Sequence, residues 1–137
     1  MERTRAWLKQ NPDTAVIFDT AERFVQTGDG GFRKDLFGFA DLVAIQPTLV
    51  GVWAIQVCQG SDFSEHIRKI TTDPKVRPNA MWWLIAQNRL SVLAWRKLAK
   101  KGPDGRYWQM KEHQFGIMEF GDDKAALRDE LEAMRKR

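Results

Sequence analysis

Two polar side chains stand inside apolar segments in the first half of the chain, and both carry oxygen atoms. Asp41 lies in the segment 38–45, and Gln56 lies in the segment 52–58. Burying an amide without a partner costs about 2 to 7 kcal/mol and burying an ionised carboxylate costs far more, so each side chain needs a hydrogen-bond partner or an ion. Carboxylate and amide oxygens are ligands of hard cations such as Mg²⁺. The pattern therefore predicts a cation site at Asp41 and Gln56, with Glu22 or Asp35 as a third ligand.

Basic residues near these segments add the charges that phosphate chemistry needs. A divalent cation can polarise a phosphodiester and activate a water molecule. An ammonium group from Lys34 or Lys69 could orient that water or neutralise charge on the phosphate. Basic residues at the ends of several elements also suit a groove along a phosphate backbone. The predicted nucleic-acid-binding residues are Arg33, Lys34, Arg68, Lys69, Arg96 and Lys97.

The elements that must position these residues follow from hydrophobic periodicity and from breaking residues. Their order predicts an α/β or α+β fold, with one small mixed central β-sheet flanked by helices. The predicted helices are 2–10, 62–70, 79–86 and 124–136, and the predicted strands are 15–18, 38–45, 52–58, 89–95 and 107–115.

Local signals add detail to this outline. Residues 26–31 contain three glycines and are expected to form a loop. Asp62 and Glu65 are expected to form a capping box, and Asn79 is expected to cap the next helix. Breaks are expected at 11–13 and 102–105, and a cap for the last helix is expected at 122 or 123.

Composition limits the classes of protein that the chain can belong to. Its 137 residues are expected to form one domain, 1–137. The net charge of +4 favours an anionic partner. A single cysteine, Cys58, excludes an internal disulfide, and two histidines without paired spacing argue against zinc. No apolar run reaches the roughly 20 residues of a membrane span, so we expect an intracellular, cytoplasmic protein without a membrane partner.

The segment around Asp41 resembles the PD-(D/E)XK nuclease superfamily. In that superfamily an Asp follows a glycine-containing turn at a strand end, a strand ending in Glu/Gln-X-Lys comes next, and a helix with basic residues follows. Here Gly38-Phe-Ala-Asp41 matches the first element, and Gln56-Val-Cys58 stands at the second. Glu22 stands where resolvase-like members carry an early Glu. The resemblance covers roughly residues 15–97 and is closest to Holliday-junction resolvase-like and VRR-NUC-type proteins, including small phage and bacterial ones.

This resemblance implies a restriction-endonuclease-like fold and Mg²⁺- or Mn²⁺-dependent cleavage of DNA. It implies that Asp41, Gln56 and Glu22 hold the metal ion. Cys58 departs from the pattern because it stands in the position of the family's lysine. The resemblance then requires a relocated lysine, for which Lys34 and Lys69 are the candidates by sequence.

Other interpretations remain open at this point. Without a lysine in reach, the chain could be an inactive member of the fold that binds nucleic acid or a protein partner. An unrelated α+β domain whose tryptophan-rich surface binds a protein is the alternative from another class, and a homodimer is open in each case. Asp41 could also cap a turn or pair with Arg33, and Gln56 could bond a neighbouring backbone group.

Overall fold

The computed structural model describes residues 1–10, 16–99, 106–121 and 124–136. It is a mixed α+β structure in which a five-stranded mixed sheet is flanked by helices, so the predicted fold class is confirmed. The helices are α1 (Glu2–Gln10), α2 (Phe63–Thr72), α3 (Arg77–Ile85) and α4 (Lys124–Arg135). The strands are β1 (Ile17–Thr20), β2 (Arg23–Thr27), β3 (Gly30–Lys34), β4 (Leu42–Ile45), β5 (Val52–Gln59), β6 (Arg89–Ala99) and β7 (Arg106–Gln114).

The sheet has the strand order β1-β4-β5-β6-β7. β4 and β5 form an antiparallel pair, whereas β5 and β6 run parallel and are joined by α2 and α3. β4 pairs with β5 from Leu42 opposite Ile55 to Ile45 opposite Val52. β5 continues to Gln59, so its last four residues extend past the beginning of β4.

Helices cover both faces of the sheet, which explains why β5 is apolar along nearly its whole length. Ala54 packs with Ile70 and Met81 on the face covered by α2, α3 and α4. Trp53 and Ile55 point to the other face, where Leu8 of α1 packs against them. None of the helices in the described ranges has the length and hydropathy needed to cross a bilayer.

A separate two-stranded hairpin, β2–β3, replaces the predicted loop at 26–31. The prediction is wrong because the glycines form a tight turn between two paired strands. Gly30 has φ of 123°, a conformation that residues with a Cβ rarely adopt. Phe24 and Phe32 are 66% and 51% exposed, so the hairpin projects from the body of the molecule.

Strand boundaries around Asp41 also differ from the prediction. The strand expected from residue 38 begins at Leu42, because residues 36–40 form a turn closed by a Leu36–Ala40 bridge. Phe37 and Gly38 have positive φ values of 56° and 84° there. The first strand is displaced by two residues, from 15–18 to Ile17–Thr20, and residue 15 lies outside the described ranges.

The predicted helix caps are wrong where the structure describes them. Asp62 precedes α2 but makes no capping hydrogen bond through its side chain, and Glu65 pairs with Arg68 instead. Asn79 lies inside α3, where its amide donates a hydrogen bond to the Phe37 carbonyl oxygen at 3.1 Å. The expected breaks at 11–13 and 102–105 and the cap at 122 or 123 lie outside the described ranges.

Candidate metal centre

Asp41 occupies the place at which β5 loses its partner strand. The Asp41 backbone N–H donates to the Ile55 carbonyl oxygen at 3.0 Å. One residue pair further on, the Asp41 carboxylate accepts a hydrogen bond from the Val57 backbone N–H at 2.7 Å. The carboxylate thus takes over the hydrogen bonding that β4 would have provided, and Asp41 is 7% exposed.

The projecting hairpin brings two further carboxylates to Asp41. Glu22 immediately precedes β2, and Asp35 immediately follows β3, so both lie at the base of the hairpin. The backbone N–H groups of Ala21 and Glu22 donate to the Asp41 carbonyl oxygen at 2.8 and 3.3 Å. One carboxylate oxygen from each of Glu22, Asp35 and Asp41 lies within 4.8 Å of the others. We call these three residues the carboxylate cluster.

Gln56 completes the polar surroundings of the cluster from β5. Gln56 is only 4% exposed, and its Nε2 donates a hydrogen bond to Oδ2 of Asp35 at 3.1 Å. Its Oε1 is buried and accepts no hydrogen bond from the described part of the protein. A buried acceptor without a donor is costly, and a cation would satisfy it.

Asp41 and Gln56 both contact the Asp35 carboxylate. Asp35, weighed only as an alternative to Glu22, stands between them. The alternative in which Asp41 pairs with Arg33 is not observed, since Arg33 forms an ion pair with Glu22 at 2.5 Å. Among the described residues, Arg33 is the cation that forms an ion pair with the cluster. One guanidinium therefore faces three carboxyl groups, and the cluster has more acidic than basic groups.

The pKa of Asp41 reflects its burial and the carboxylates around it. It is raised to about 8, first by burial and then by the hydrogen bond and charge of Asp35 and the charge of Glu22. The Val57 N–H opposes the shift, because it stabilises the carboxylate form. A proton or another cation would stabilise this arrangement of carboxyl groups at neutral pH. Its oxygen ligands fit a hard divalent ion such as Mg²⁺ or Mn²⁺.

The residue in the lysine position of the family pattern is not a cation. Cys58 is half-buried two residues after Gln56. Burial raises the pKa of its thiol to about 11, and the charges of Asp62 and Asp41 add to the shift. The thiol is thus neutral at physiological pH.

The two lysines predicted to replace this cation lie on different elements, Lys34 next to Asp35 at the end of β3 and Lys69 on α2. Lys34 pairs with Arg23 in the hairpin, on the face opposite to Arg33, because neighbouring strand residues point to opposite sides. Lys69 is exposed on α2. No hydrogen bond or ion pair between described residues joins either lysine to the carboxylate cluster.

Lys111 is a further candidate for the missing cation, and the sequence does not reveal it. Cys58 lies beside Ala94, and Ala94 lies opposite Lys111, so Cys58 and Lys111 share one face of the sheet across three strands. The Lys111 Nζ lies 5.4 Å from the ring centre of Phe63, at the beginning of α2. Only the register of β5, β6 and β7 reveals this placement, and no sequence motif predicts it.

The six predicted nucleic-acid-binding residues divide into groups. Carboxylates engage two of them, because Arg33 pairs with Glu22 and Arg68 pairs with Glu65. Arg96 and Lys97 line one cavity of about 890 Å³ at the ends of β5 and β6. Lys34 and Lys69 occupy the hairpin and α2, as described above.

Comparison with known proteins adds no constraint on this site. No family model, no curated protein and no solved structure matches the chain significantly.

Proposed function

We propose that the protein is a Mg²⁺- or Mn²⁺-dependent endodeoxyribonuclease of the PD-(D/E)XK type. One observation carries the proposal: three carboxylates converge within 4.8 Å, beside a buried amide oxygen that lacks a donor. A structural polar cluster would match its acceptors with donors. This cluster has more acceptors and more negative charge than its neighbours balance, which favours a cation as the missing component.

The connectivity around the cluster supports the same proposal. β1, β4 and β5 form an antiparallel meander, and α2 and α3 then lead to β6, which runs parallel to β5. Asp41 precedes β4, after the Gly38 turn, and Gln56 lies on β5. This is the order of elements that the family pattern implies, and we propose that the core is restriction-endonuclease-like.

Within this proposal, Asp41, Glu22 and Asp35 hold the metal ion, and Gln56 contributes its amide oxygen. The ion would polarise the scissile phosphodiester and lower the pKa of water in the site. Arg33 fixes the Glu22 carboxylate through its ion pair. Lys34, Lys69 and Lys111 are the lysines from which the missing cation would come. We further propose that the protein acts on DNA in the cytoplasm.

A second candidate function rests on Cys58. The neutral thiol leaves the family's lysine position without charge, so the same fold could bind nucleic acid or a protein partner without cleaving DNA. The two candidates share the carboxylate cluster and differ only in whether bonds are broken.

A cleavage assay on a panel of labelled DNA separates these functions. Duplex, single-stranded, forked and four-way-junction substrates would be incubated with Mg²⁺ or Mn²⁺, and with EDTA as the metal-free reference. We expect metal-dependent products from the wild type. We expect none from Asp41→Asn, and unchanged products from Asp129→Asn, which alters an exposed Asp on α4. Binding without cleavage of any substrate would favour the inactive module.

A further inference from the structure

A cavity of about 890 Å³ lies where β5 and β6 end. The described residues of its lining include three basic side chains and no acidic one. Among the described residues, none forms an ion pair with these cations. An anionic occupant would therefore meet positive charge that no protein carboxylate neutralises. We call the cavity the tryptophan groove and define it by Arg3, Trp95, Arg96, Lys97 and Trp108.

An exposed indole lies under two of these cations. Trp108 on β7 is 41% exposed and lies opposite Lys97 of β6. The guanidinium carbon of Arg3 lies 3.4 Å from the centre of a Trp108 ring, and the Lys97 Nζ lies 5.6 Å from it. Trp95 Nε1 donates to Thr4 Oγ1 at 2.8 Å, which fixes the beginning of α1, and with it Arg3, against the sheet.

The groove shares its wall with the candidate metal centre. Val57 and Cys58 line the groove, and the Val57 N–H is the group that holds the Asp41 carboxylate. The groove and the cluster thus both use the β5 backbone, but Trp95, Lys97 and Trp108 lie on the sheet face opposite to Gln56. Ligands of open sheets commonly bind at the carboxyl ends of parallel strands, where this groove lies.

We infer that the tryptophan groove binds an unpaired nucleic-acid strand. Arg3, Arg96 and Lys97 contact its phosphates, and an unstacked base lies on the Trp108 indole. The base takes the place of the Arg3 guanidinium, which is then free to pair with a phosphate. Basic grooves with aromatic side chains bind single strands in this way, because every base has a face that can stack. Strand binding by the groove does not depend on the proposed function.

Fluorescence anisotropy in EDTA tests this inference without any cleavage. The probes are a fluorescein-labelled oligothymidylate of about 20 nucleotides and a duplex of the same length. Trp108→Ala is compared with Trp82→Ala, because both indoles are 41% exposed and Trp82 lies in a different cavity. Lys97→Ala is compared with Lys9→Ala, which removes an exposed lysine near the other end of α1.

We expect Trp108→Ala to weaken single-strand binding by about 5- to 100-fold, the range measured for stacked bases. Trp82→Ala should leave it unchanged. Lys97→Ala should make the slope of log affinity against log salt shallower by about 0.7, the value of one phosphate contact on a single strand. Thermal melting of each variant separates lost binding from lost folding, and Lys97→Ala tests the groove independently if Trp108→Ala melts early.

Three results would overturn the inference: equal losses in Trp108→Ala and Trp82→Ala, an unchanged salt slope in Lys97→Ala, or a wild type that binds only duplex. The last result would make the groove a duplex-binding surface. Because EDTA removes the metal ion, this assay reports binding alone. Strand binding here, together with no cleavage in the assay with Mg²⁺ or Mn²⁺, would refute the proposed function alone. Cleavage with unaltered single-strand binding in both groove variants would refute this inference alone.

Discussion

The two ends of the β4–β5 pair both bury polar side chains, but they balance them differently. At one end lie Asp41 and Gln56 with their carboxylate neighbours. At the other end Gln46, which is 5% exposed, accepts a hydrogen bond from the Arg89 guanidinium. Asn88 accepts the Val52 N–H there at 3.0 Å. We call Gln46, Asn88 and Arg89 the amide end.

The difference lies in the group that lacks a partner. At the amide end it is a donor, Nε of Arg89, whose guanidinium carbon lies 5.1 Å from the centre of a Trp53 ring. At the carboxylate end it is an acceptor, Oε1 of Gln56, in a cluster that already has excess negative charge. The guanidinium over the indole is stabilised by cation–π attraction. The crowded acceptors repel one another and are stabilised by a cation. Burial of polar groups alone therefore does not mark a functional site, but an imbalance between donors and acceptors does.

The largest expected effect separates the two ends by activity. Asp41→Asn should reduce metal-dependent cleavage about 100-fold or more, since it removes a charge that acts mainly in the transition state. Gln46→Ala, at the amide end, should leave the cleavage rate of the folded protein unchanged. Initial rates on the best DNA substrate measure both. Equal losses in the two variants would show that the carboxylate end contributes no more to cleavage than the amide end does.

The next effect is on stability as pH changes. The pKa of Asp41 is about 8 in the folded protein and 3.8 for a free carboxyl, so the folded state retains a proton that the unfolded state releases. In EDTA the free energy of unfolding should fall as pH rises from about 4 to about 8 and then become level. Asp41→Asn should flatten most of this slope.

Thermal melting across that pH range provides the measurement, with Asp129→Asn as the control. Adding Mn²⁺ should restore stability most strongly at the upper end of the range, because the ion replaces the lost proton. A slope that persists in Asp41→Asn would assign the titration to other groups.

A third prediction concerns the amide end alone. Gln46→Ala should lower the free energy of unfolding by about 1 to 3 kcal/mol, because it leaves the Arg89 guanidinium with one partner fewer. Urea unfolding at pH 7 measures this loss. The Mn²⁺ affinity of this variant should equal that of the wild type. Weakened Mn²⁺ binding would mean that the two ends are coupled through β4 and β5.

The smallest expected effect is the change in cleavage activity when Cys58, in the lysine position of the family pattern, is replaced by lysine. Cys58→Lys introduces an ammonium beside Asp41 and Asp62, the two carboxylates that act on the thiol. We expect the activity to be preserved or raised. In an Asp41→Asn background the same lysine loses one of these partners, so that the double variant should melt at a lower temperature than Asp41→Asn alone. Loss of activity in Cys58→Lys with normal melting would argue that the site does not use a cation there.

The sheet and the helices that cover it are predictable from the sequence. The apolar stretch of β5 and the stripes of α2 and α4 fix their types, because burial of apolar faces dominates their energetics. The β2–β3 hairpin is not predictable in this way. Phe24 and Phe32 remain exposed, and the glycine-rich turn has the composition of a loop.

The candidate site is predictable to a similar extent. Asp41 and Gln56 are evident because each is polar within an apolar segment. The central place of Asp35 is not, since it depends on the hairpin that brings its two ends, Glu22 and Asp35, back to Asp41. The tryptophan groove and Lys111 depend on the pairing of β5, β6 and β7, which no local pattern specifies.

Calorimetric titration with Mn²⁺ at pH 7 tests the central claim, that the carboxylate cluster is a cation site, most directly. Titrations in two buffers of different ionisation enthalpy count the protons released on binding. With the pKa of Asp41 at about 8, most of the metal-free protein carries a proton there at pH 7. The account predicts release of nearly one proton for each bound ion, and weaker binding without that release in Asp41→Asn. A wild type that binds no Mn²⁺, or an Asp41→Asn variant that binds it equally well, would contradict the account.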